Sequence, residues 1–161
     1  MEPMIDIQIS VNGLDVATRV PARQTLVDFL RYNLELTGSH IGCEHGSCGA
    51  CTIRLNGDIV RGCLVLVGQA NGATVETIEG LSDGDELADL QSTFHALNAL
   101  QCGYCTPGML LTAQALLTDN PDPSREEIRS YLSGNYCRCT GYQAIVDAIE
   151  SVATARNGAA S

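Results

Sequence analysis

Residues 42–51 run Gly42-Cys43-Glu44-His45-Gly46-Ser47-Cys48-Gly49-Ala50-Cys51, and a fourth cysteine, Cys63, follows after eleven intervening residues. A Cys-x4-Cys-x2-Cys run with one more distant partner is the spacing by which plant-type ferredoxins hold a [2Fe-2S] cluster. Glycine recurs between the thiols because a chain wrapped closely around a compact inorganic core needs positive φ and close approach of its amides to sulfur. Such N–H groups favour the electron-rich reduced state and, with burial and net charge, set the reduction potential.

The sequence around this loop reads as a small sheet. Ile5, Ile7 and Ile9 alternate with polar residues, Asn12-Gly13 supplies a hairpin turn, and Asp15 to Val20 returns. Thr25 is placed to cap a helix with Asp28 three residues on, and Leu26, Phe29, Leu30 and Leu34 form one apolar face to lie over the sheet. Further strands are expected over Thr52 to Leu55, Ile59 to Arg61 and Val75 to Ile78, with a turn at Asn56-Gly57-Asp58.

The texture changes at Gly80-Leu81-Ser82-Asp83-Gly84-Asp85. Beyond it Leu87, Leu90, Phe94 and Leu97 recur at helical spacing, as do Met109, Leu110, Ala113, Leu116 and Leu117. Pro107 sits where a first helical residue tolerates it, after Thr106 as N-cap. Ser124 and Glu127 form a capping box before Ile128 and Leu132, and Ile145, Val146, Ile149 and Val152 line a final helix. The expected fold class is α+β: a plant-type ferredoxin-like (β-grasp) domain over residues 1–80, then an all-α four-helix bundle domain over residues 85–161.

The remaining cysteines, Cys102, Cys105, Cys137 and Cys139, make a second group of four and leave none over. Taken alone, Cys102-x2-Cys105 with the distant Cys137-x-Cys139 suits an iron–sulfur cluster and zinc equally. Cys105-Thr106-Pro107-Gly108 and Cys139-Thr140-Gly141-Tyr142 each put a thiol just before a helix, so two helix N-termini favour anionic sulfur there. Arg138 lies between two of these thiols, as a further positive charge or as an ordinary exposed arginine.

Other uses of eight cysteines fit less well. Disulfides need an oxidising compartment, and Met1-Glu2-Pro3-Met4 opens without the basic region and apolar core of a signal peptide. Structural zinc favours two Cys-x2-Cys knuckles per site, where each group here has one. A Rieske centre needs two histidine ligands in paired loops, which His40, His45 and His95 do not supply; His45 reads as a solvated loop side chain.

Composition narrows the function further. With a formal charge of −10, nine arginines, no lysine and two phenylalanines, nothing resembles a basic, aromatic-studded nucleic-acid surface. No apolar run approaches the roughly 20 residues that cross a bilayer, and no twin-arginine leader is present, so a cytoplasmic chain without a transmembrane segment is expected. There is no Gly-Lys-Ser/Thr phosphate loop, no Gly-x-Gly-x-x-Gly after a strand and no His-Glu-x-x-His.

Three motifs together, Cys43 to Cys51, Gln101-Cys102-Gly103-Tyr104-Cys105-Thr106-Pro107-Gly108 and Asn135-Tyr136-Cys137-Arg138-Cys139-Thr140-Gly141-Tyr142, closely resemble the iron–sulfur subunit of the molybdenum hydroxylases, the xanthine oxidase family. The resemblance covers essentially the whole chain and implies two [2Fe-2S] clusters, the second on Cys102, Cys105, Cys137 and Cys139. It implies that this second cluster lies next to the molybdopterin of a separate large subunit, with Gln101 and Cys139 matching positions that hydrogen-bond the pterin. The cluster on Cys43, Cys48, Cys51 and Cys63 is implied to lie toward FAD on a medium subunit, in a heterotrimer that often dimerises. The implied role is a non-catalytic wire: the molybdenum centre hydroxylates a small molecule, an aromatic N-heterocycle, purine, aldehyde or carbon monoxide, and electrons pass singly to or from flavin. A free-standing ferredoxin-like shuttle keeps the same cofactors and suits the acidic balance, and a structural zinc interaction module is the third reading.

Overall fold

The computed structural model describes residues 2–82 and 88–159; Asp83, Gly84 and Asp85 of the expected boundary, and Leu87, lie outside the described residues. The first hairpin pairs β1 (Met4–Val11) with β2 (Leu14–Pro21), in register from Met4 opposite Pro21 to Val11 opposite Leu14. Asn12 and Gly13 both take positive φ, 49° and 81°, the turn geometry whose twist matches that of paired strands. Because strand side chains alternate, Ile7, Ile9 and Val11 all enter the core. With β3 (Thr52–Leu55), β4 (Asp58–Arg61) and β5 (Thr74–Glu76) the sheet has the order β2-β1-β5-β3-β4, in which β1 and β5 run parallel and the other neighbours antiparallel.

Across one face lies α1 (Leu26–Asp28). Thr25 caps it as expected, its hydroxyl oxygen accepting the Asp28 N–H at 3.2 Å. The segment then widens into a π turn over Phe29–Asn33 instead of continuing as an α-helix, closed by the Leu34 N–H on the Phe29 carbonyl at 3.3 Å. Over so short a stretch the apolar spacing does not separate a 3.6-residue turn from a wider one. Leu26, Phe29 and Leu30 are fully buried all the same, and Leu34 packs at the edge of their cluster.

Strand β5 ends two residues before the expected Ile78. The reason is Asn12, whose side chain accepts the Thr77 N–H and donates to the Thr77 hydroxyl, both at 2.9 Å, and so takes the chain off the ladder. Ile78 instead starts a 3-10 turn and packs on a second core.

That second core is built by α2 (Asp89–Ala96), α3 (Thr106–Asp119), α4 (Arg125–Tyr131) and α5 (Gln143–Ala159), around Leu90, Phe94, Met109, Ile128, Ile145 and Ile149. The capping box at α4 is present, with the Ser124 N–H on the Glu127 carboxylate at 2.7 Å and the Glu127 N–H on the Ser124 hydroxyl at 3.3 Å. Two expectations shift. Helix α3 begins at Thr106 with Cys105 as N-cap, so Pro107 is its second residue, and Leu97 is exposed, because α2 ends at Ala96, Asn98 turns at φ 52° and Ala99 takes the buried place.

Helix α3 lies against β3 and β4, and the approach is close at one point: a Cβ on Gly108 would come 2.3 Å from the Gly49 carbonyl oxygen. Gly108→Ala should therefore cost about 1–3 kcal/mol as the two layers are forced apart, measured by denaturant unfolding, whereas an alanine at Gly57, which has open space but positive φ, costs only local backbone strain.

The far end of the helical layer is tied by Arg156, which grips the Asp89 carboxylate with two hydrogen bonds of 2.7 Å. The guanidinium holds Asp89 below its ordinary 3.8. A depressed carboxylate contributes stability above its unfolded pKa and loses it as pH falls through the folded one. The stability gap between the parent chain and Arg156→Gln should be under about 1 kcal/mol at neutral pH, since both groups are partly solvated. It should close in unfolding titrations carried down below 3.8.

Candidate metal centres

In the loop of residues 42–51 the backbone is left-handed at Glu44, Gly46 and Gly49, with φ of 57°, 83° and 75°. These turns aim the Cys48 N–H at the Cys43 sulfur, 3.4 Å away. Backbone hydrogen bonds, from Cys48 and then His45, bring the Cys43 thiol down to about 6. His45 is exposed and braces the loop, its Nδ1 2.5 Å from the Cys43 carbonyl and its Nε2 2.9 Å from the Ser47 hydroxyl, which fits a solvated loop side chain. Gly42 leaves room for sulfur: a Cβ there would stand 3.0 Å from Cys48 Sγ. Cys51 is buried and in side-chain contact with Cys63, and burial pushes it up to about 11. The Gly62 N–H on the Cys51 carbonyl at 3.0 Å fixes these two strands of chain against each other. The group thus resolves into two pairs, Cys43 with Cys48 and Cys51 with Cys63.

The second group does the same. Cys102 and Cys139 lie at the surface with their sulfurs 3.5 Å apart, and Cys105 and Cys137, half-buried, meet side chain to side chain. Burial, with the Cys137 thiol beside it, pushes Cys105 up to about 12. For the bare thiol, desolvation therefore outweighs the helix N-terminus that the sequence places there. Burial raises Cys137 too, but the Thr140 hydroxyl at 3.1 Å and the Thr140 N–H at 3.5 Å bring it below the usual range. Tyr142 accepts the Cys137 N–H at 2.9 Å and fixes the approach to α5. Gln101, Arg138 and Cys139 are exposed, Gln101 on the edge where Cys102 meets Cys139.

All eight cysteines are free thiols, so none is spent on a disulfide. Two sulfurs bound at about 2.3 Å to one tetrahedral metal sit roughly 3.8 Å apart, and the 3.5 Å between Cys102 and Cys139 is close to that. Among the described residues no three His, Cys, Asp or Glu side chains converge on one point as a lone ion needs. Two thiol pairs, one per iron, with amides and a hydroxyl turned to sulfur, are the donor set of a binuclear [2Fe-2S] cluster, whereas zinc gathers four donors at a single centre. The residues fit the cluster.

The structure also brings together residues that sequence reasoning did not single out. Between the two groups the Tyr136 N–H donates to the Cys48 carbonyl at 2.8 Å. Asn135, 2% exposed, donates through Nδ2 to the Gly49 carbonyl at 3.2 Å and to the Thr52 hydroxyl at 3.3 Å, and accepts from the Thr112 hydroxyl at 3.1 Å. Arg61 joins the same knot, with hydrogen bonds to the Thr52 hydroxyl and, at 2.7 Å, to the Gly134 carbonyl. On another side His40 stacks on Tyr104 with ring centroids 4.5 Å apart and Nδ1 2.8 Å from the Tyr104 carbonyl, while the Tyr104 hydroxyl donates to the Ile41 carbonyl at 2.7 Å. For Gly49, Tyr104, Asn135 and Tyr136 the available signal was their place within the cysteine motifs; His40, Thr52, Arg61 and Thr112 lie outside those motifs.

Two family models match the chain: a 2Fe-2S iron-sulfur cluster binding domain over residues 9–88 and a [2Fe-2S] binding domain over residues 77–150. The nicotine 6-hydroxylase small subunit of Paenarthrobacter nicotinovorans is 52% identical over 145 residues, 90% of this chain and 87% of that protein. The caffeine dehydrogenase subunit gamma of Pseudomonas sp. (strain CBB1) is 50% identical over 149 residues, 91% and 89% of the two chains. Among solved structures, quinoline 2-oxidoreductase from Pseudomonas putida 86 contains a chain that superposes with a TM-score of 0.93 at 48% identity, covering 98% of this chain and 97% of that one. With both halves matched in order and relatives aligned over nearly their full length, the chain belongs to the family of small iron–sulfur subunits of the molybdenum hydroxylases.

Proposed function

We propose that this chain is the electron-transfer subunit of a molybdenum hydroxylase, holding one [2Fe-2S] cluster on Cys43, Cys48, Cys51 and Cys63 and a second on Cys102, Cys105, Cys137 and Cys139. The observation that carries the reading is the resolution of each group of four thiols into two pairs, with one backbone hydrogen bond linking a cysteine of the first group to the residue before a cysteine of the second. The first site belongs to a domain over residues 1–80, the second to a four-helix bundle domain over residues 85–161 made by α2 to α5. Bound clusters supply one-electron redox chemistry. The chain's own residues hold the sulfurs, turn N–H groups to them and shield the inner pair of each site, with Cys51 buried and Cys105 half-buried.

Exposure supports an assignment of the outward faces. The Cys102–Cys139 edge, with Gln101 beside it, is open at the surface, and this is the face we assign to the molybdopterin of a large subunit, with Gln101 and Cys139 as its hydrogen-bonding contacts. The ferredoxin-type site then faces FAD on a medium subunit, in a cytoplasmic heterotrimer that pairs. Among the described residues no helix is long and apolar enough to cross a membrane. Nicotine, caffeine and quinoline, which name three of the relatives' activities, are all nitrogen heterocycles, so an N-heterocycle is the substrate class we assign to the holoenzyme.

Two experiments test this. Dithionite-reduced protein should give two distinct S = 1/2 resonances integrating to about two spins per chain, and Cys63→Ala should delete one and spare the other. A colourless, silent protein carrying zinc would leave a metal-stapled interaction module. The second is the association state: expressed in its native host with an affinity tag, the chain should purify with a molybdenum-containing large polypeptide and a flavin-containing one. Recovery of the clustered chain alone supports the free shuttle, for which the acidic balance of −10 also suits charge-guided encounters.

A further inference from the structure

We infer that Asn135 is a positioning residue for electron passage between the two cysteine sites, holding in register the hydrogen bond from the Tyr136 N–H to the Cys48 carbonyl. The inference rests on the two-cluster reading above.

Cys48 pairs with Cys43 in the first site, and Tyr136 is bonded to Cys137, which pairs with Cys105 in the second. A continuous route therefore runs from Cys48 Sγ through its side chain and carbonyl, across a 2.8 Å hydrogen bond, and along the Tyr136 backbone to Cys137 Sγ. One electron leaves one site and enters the other; no bond forms or breaks and no proton moves. Tunnelling falls off far less steeply along bonded atoms and a short hydrogen bond than across an open gap, so the rate depends on keeping this bond short.

The Asn135 side chain is built for that. Its backbone precedes the donor residue Tyr136, and its amide bonds the carbonyl of Gly49, the residue after the acceptor Cys48, at 3.2 Å. Two adjacent points of one loop are thus pinned to two adjacent points of the other. The Thr112 hydroxyl, at 3.1 Å from Oδ1, fixes which way the amide faces, and Nδ2 spends a second contact on the Thr52 hydroxyl at 3.3 Å. An amide offers both donors and an acceptor in one plane, which an aspartate or an alanine does not. The loops pack here at a distance that only glycine allows: a Cβ on Gly49 would sit 2.5 Å from the Gly134 carbonyl oxygen and 2.7 Å from Asn135 Nδ2.

The test is made on the purified chain carrying both clusters, in the parent, Asn135→Ala and Thr112→Val forms. Readouts are iron content, the midpoint potential of each cluster, the low-temperature splitting of the two resonances by each other, and the inter-site rate after rapid one-electron reduction. Asn135→Ala should keep both clusters and their potentials but lose the parent splitting and slow the inter-site rate at least about tenfold, since misplacing a reacting pair by about 1 Å can cost up to about a hundredfold. Thr112→Val, which only frees the amide to rotate, should move both quantities in the same direction by less. A lowered melting temperature with unchanged splitting and rate assigns Asn135 a purely structural role and overturns the inference. If Asn135→Ala fails to load its clusters, Thr112→Val decides alone on the same two quantities. A parent chain with two unsplit resonances sinks this inference only, whereas one with no resonances sinks the two-cluster function itself.

Discussion

Everything in this molecule is arranged around one close contact, where the Gly49 carbonyl of the first cysteine loop meets Gly108 at the start of α3 and Asn135 before the second cysteine pair. Beside the Asn135 amide, no further side chain fits between these three stretches of backbone. The sheet and the helical layer therefore approach until main chain touches main chain, and the polar groups trapped there find partners in the Thr52 hydroxyl, Thr112 and Arg61. A buried carbonyl left unpaired at such a point costs about 1–3 kcal/mol, which is why four residues far apart in sequence are drawn into a single network. The closeness has a functional sense: a wire with two stations transmits only if the stations are held near each other.

The same economy governs charge. The chain has no lysine, and several of its nine arginines act as forked hydrogen-bond donors rather than as loose surface charge. Arg31 holds the Thr37 and Ser39 carbonyls at 2.7 Å each just before the first cysteine loop, Arg61 crosses the seam, and Arg125 spans Asp147 and Glu150 to lock α4 on α5. Arg31 and Arg61 thus brace the chain beside the cysteine loops, while the acidic remainder leaves the surface free of the positive fields that attract nucleic acid.

How much of this was legible beforehand depended on range. The Asn12-Gly13 turn, the alternation of Ile7 and Ile9, the Thr25 cap and the Ser124 capping box are local devices, and each appears where the sequence puts it. Local reasoning failed where a distant partner intervened, as Asn12 drew Thr77 off the end of β5, and where periodicity ran past an unmarked helix end, as the turn at Asn98 gave the buried place to Ala99 and left Leu97 exposed. Cysteine spacing announced two metal sites because ligand spacing is itself a short-range signal. The seam was invisible for the opposite reason, since Asn135, Thr52 and Thr112 are ordinary polar residues until the two cores dock and bury them.

The thiols show what bound metal would contribute to that docking. In each site one sulfur is pulled up by burial, Cys51 to about 11 and Cys105 to about 12, while Cys43, bathed in backbone N–H groups, comes down to about 6. The two inner thiols sit in surroundings that disfavour anionic sulfur, yet a metal ligand must be a thiolate. A cation bound between the paired sulfurs would reverse that balance, because its charge at bonding distance opposes desolvation. The loops turn N–H groups to Cys43 and Cys137 and shelter Cys51 and Cys105, and a bound metal would make the shelter compatible with charge. Cluster binding and the close seam are thus two halves of one constraint: the loops that must be shaped to hold sulfur are the loops that must touch for the two sites to communicate.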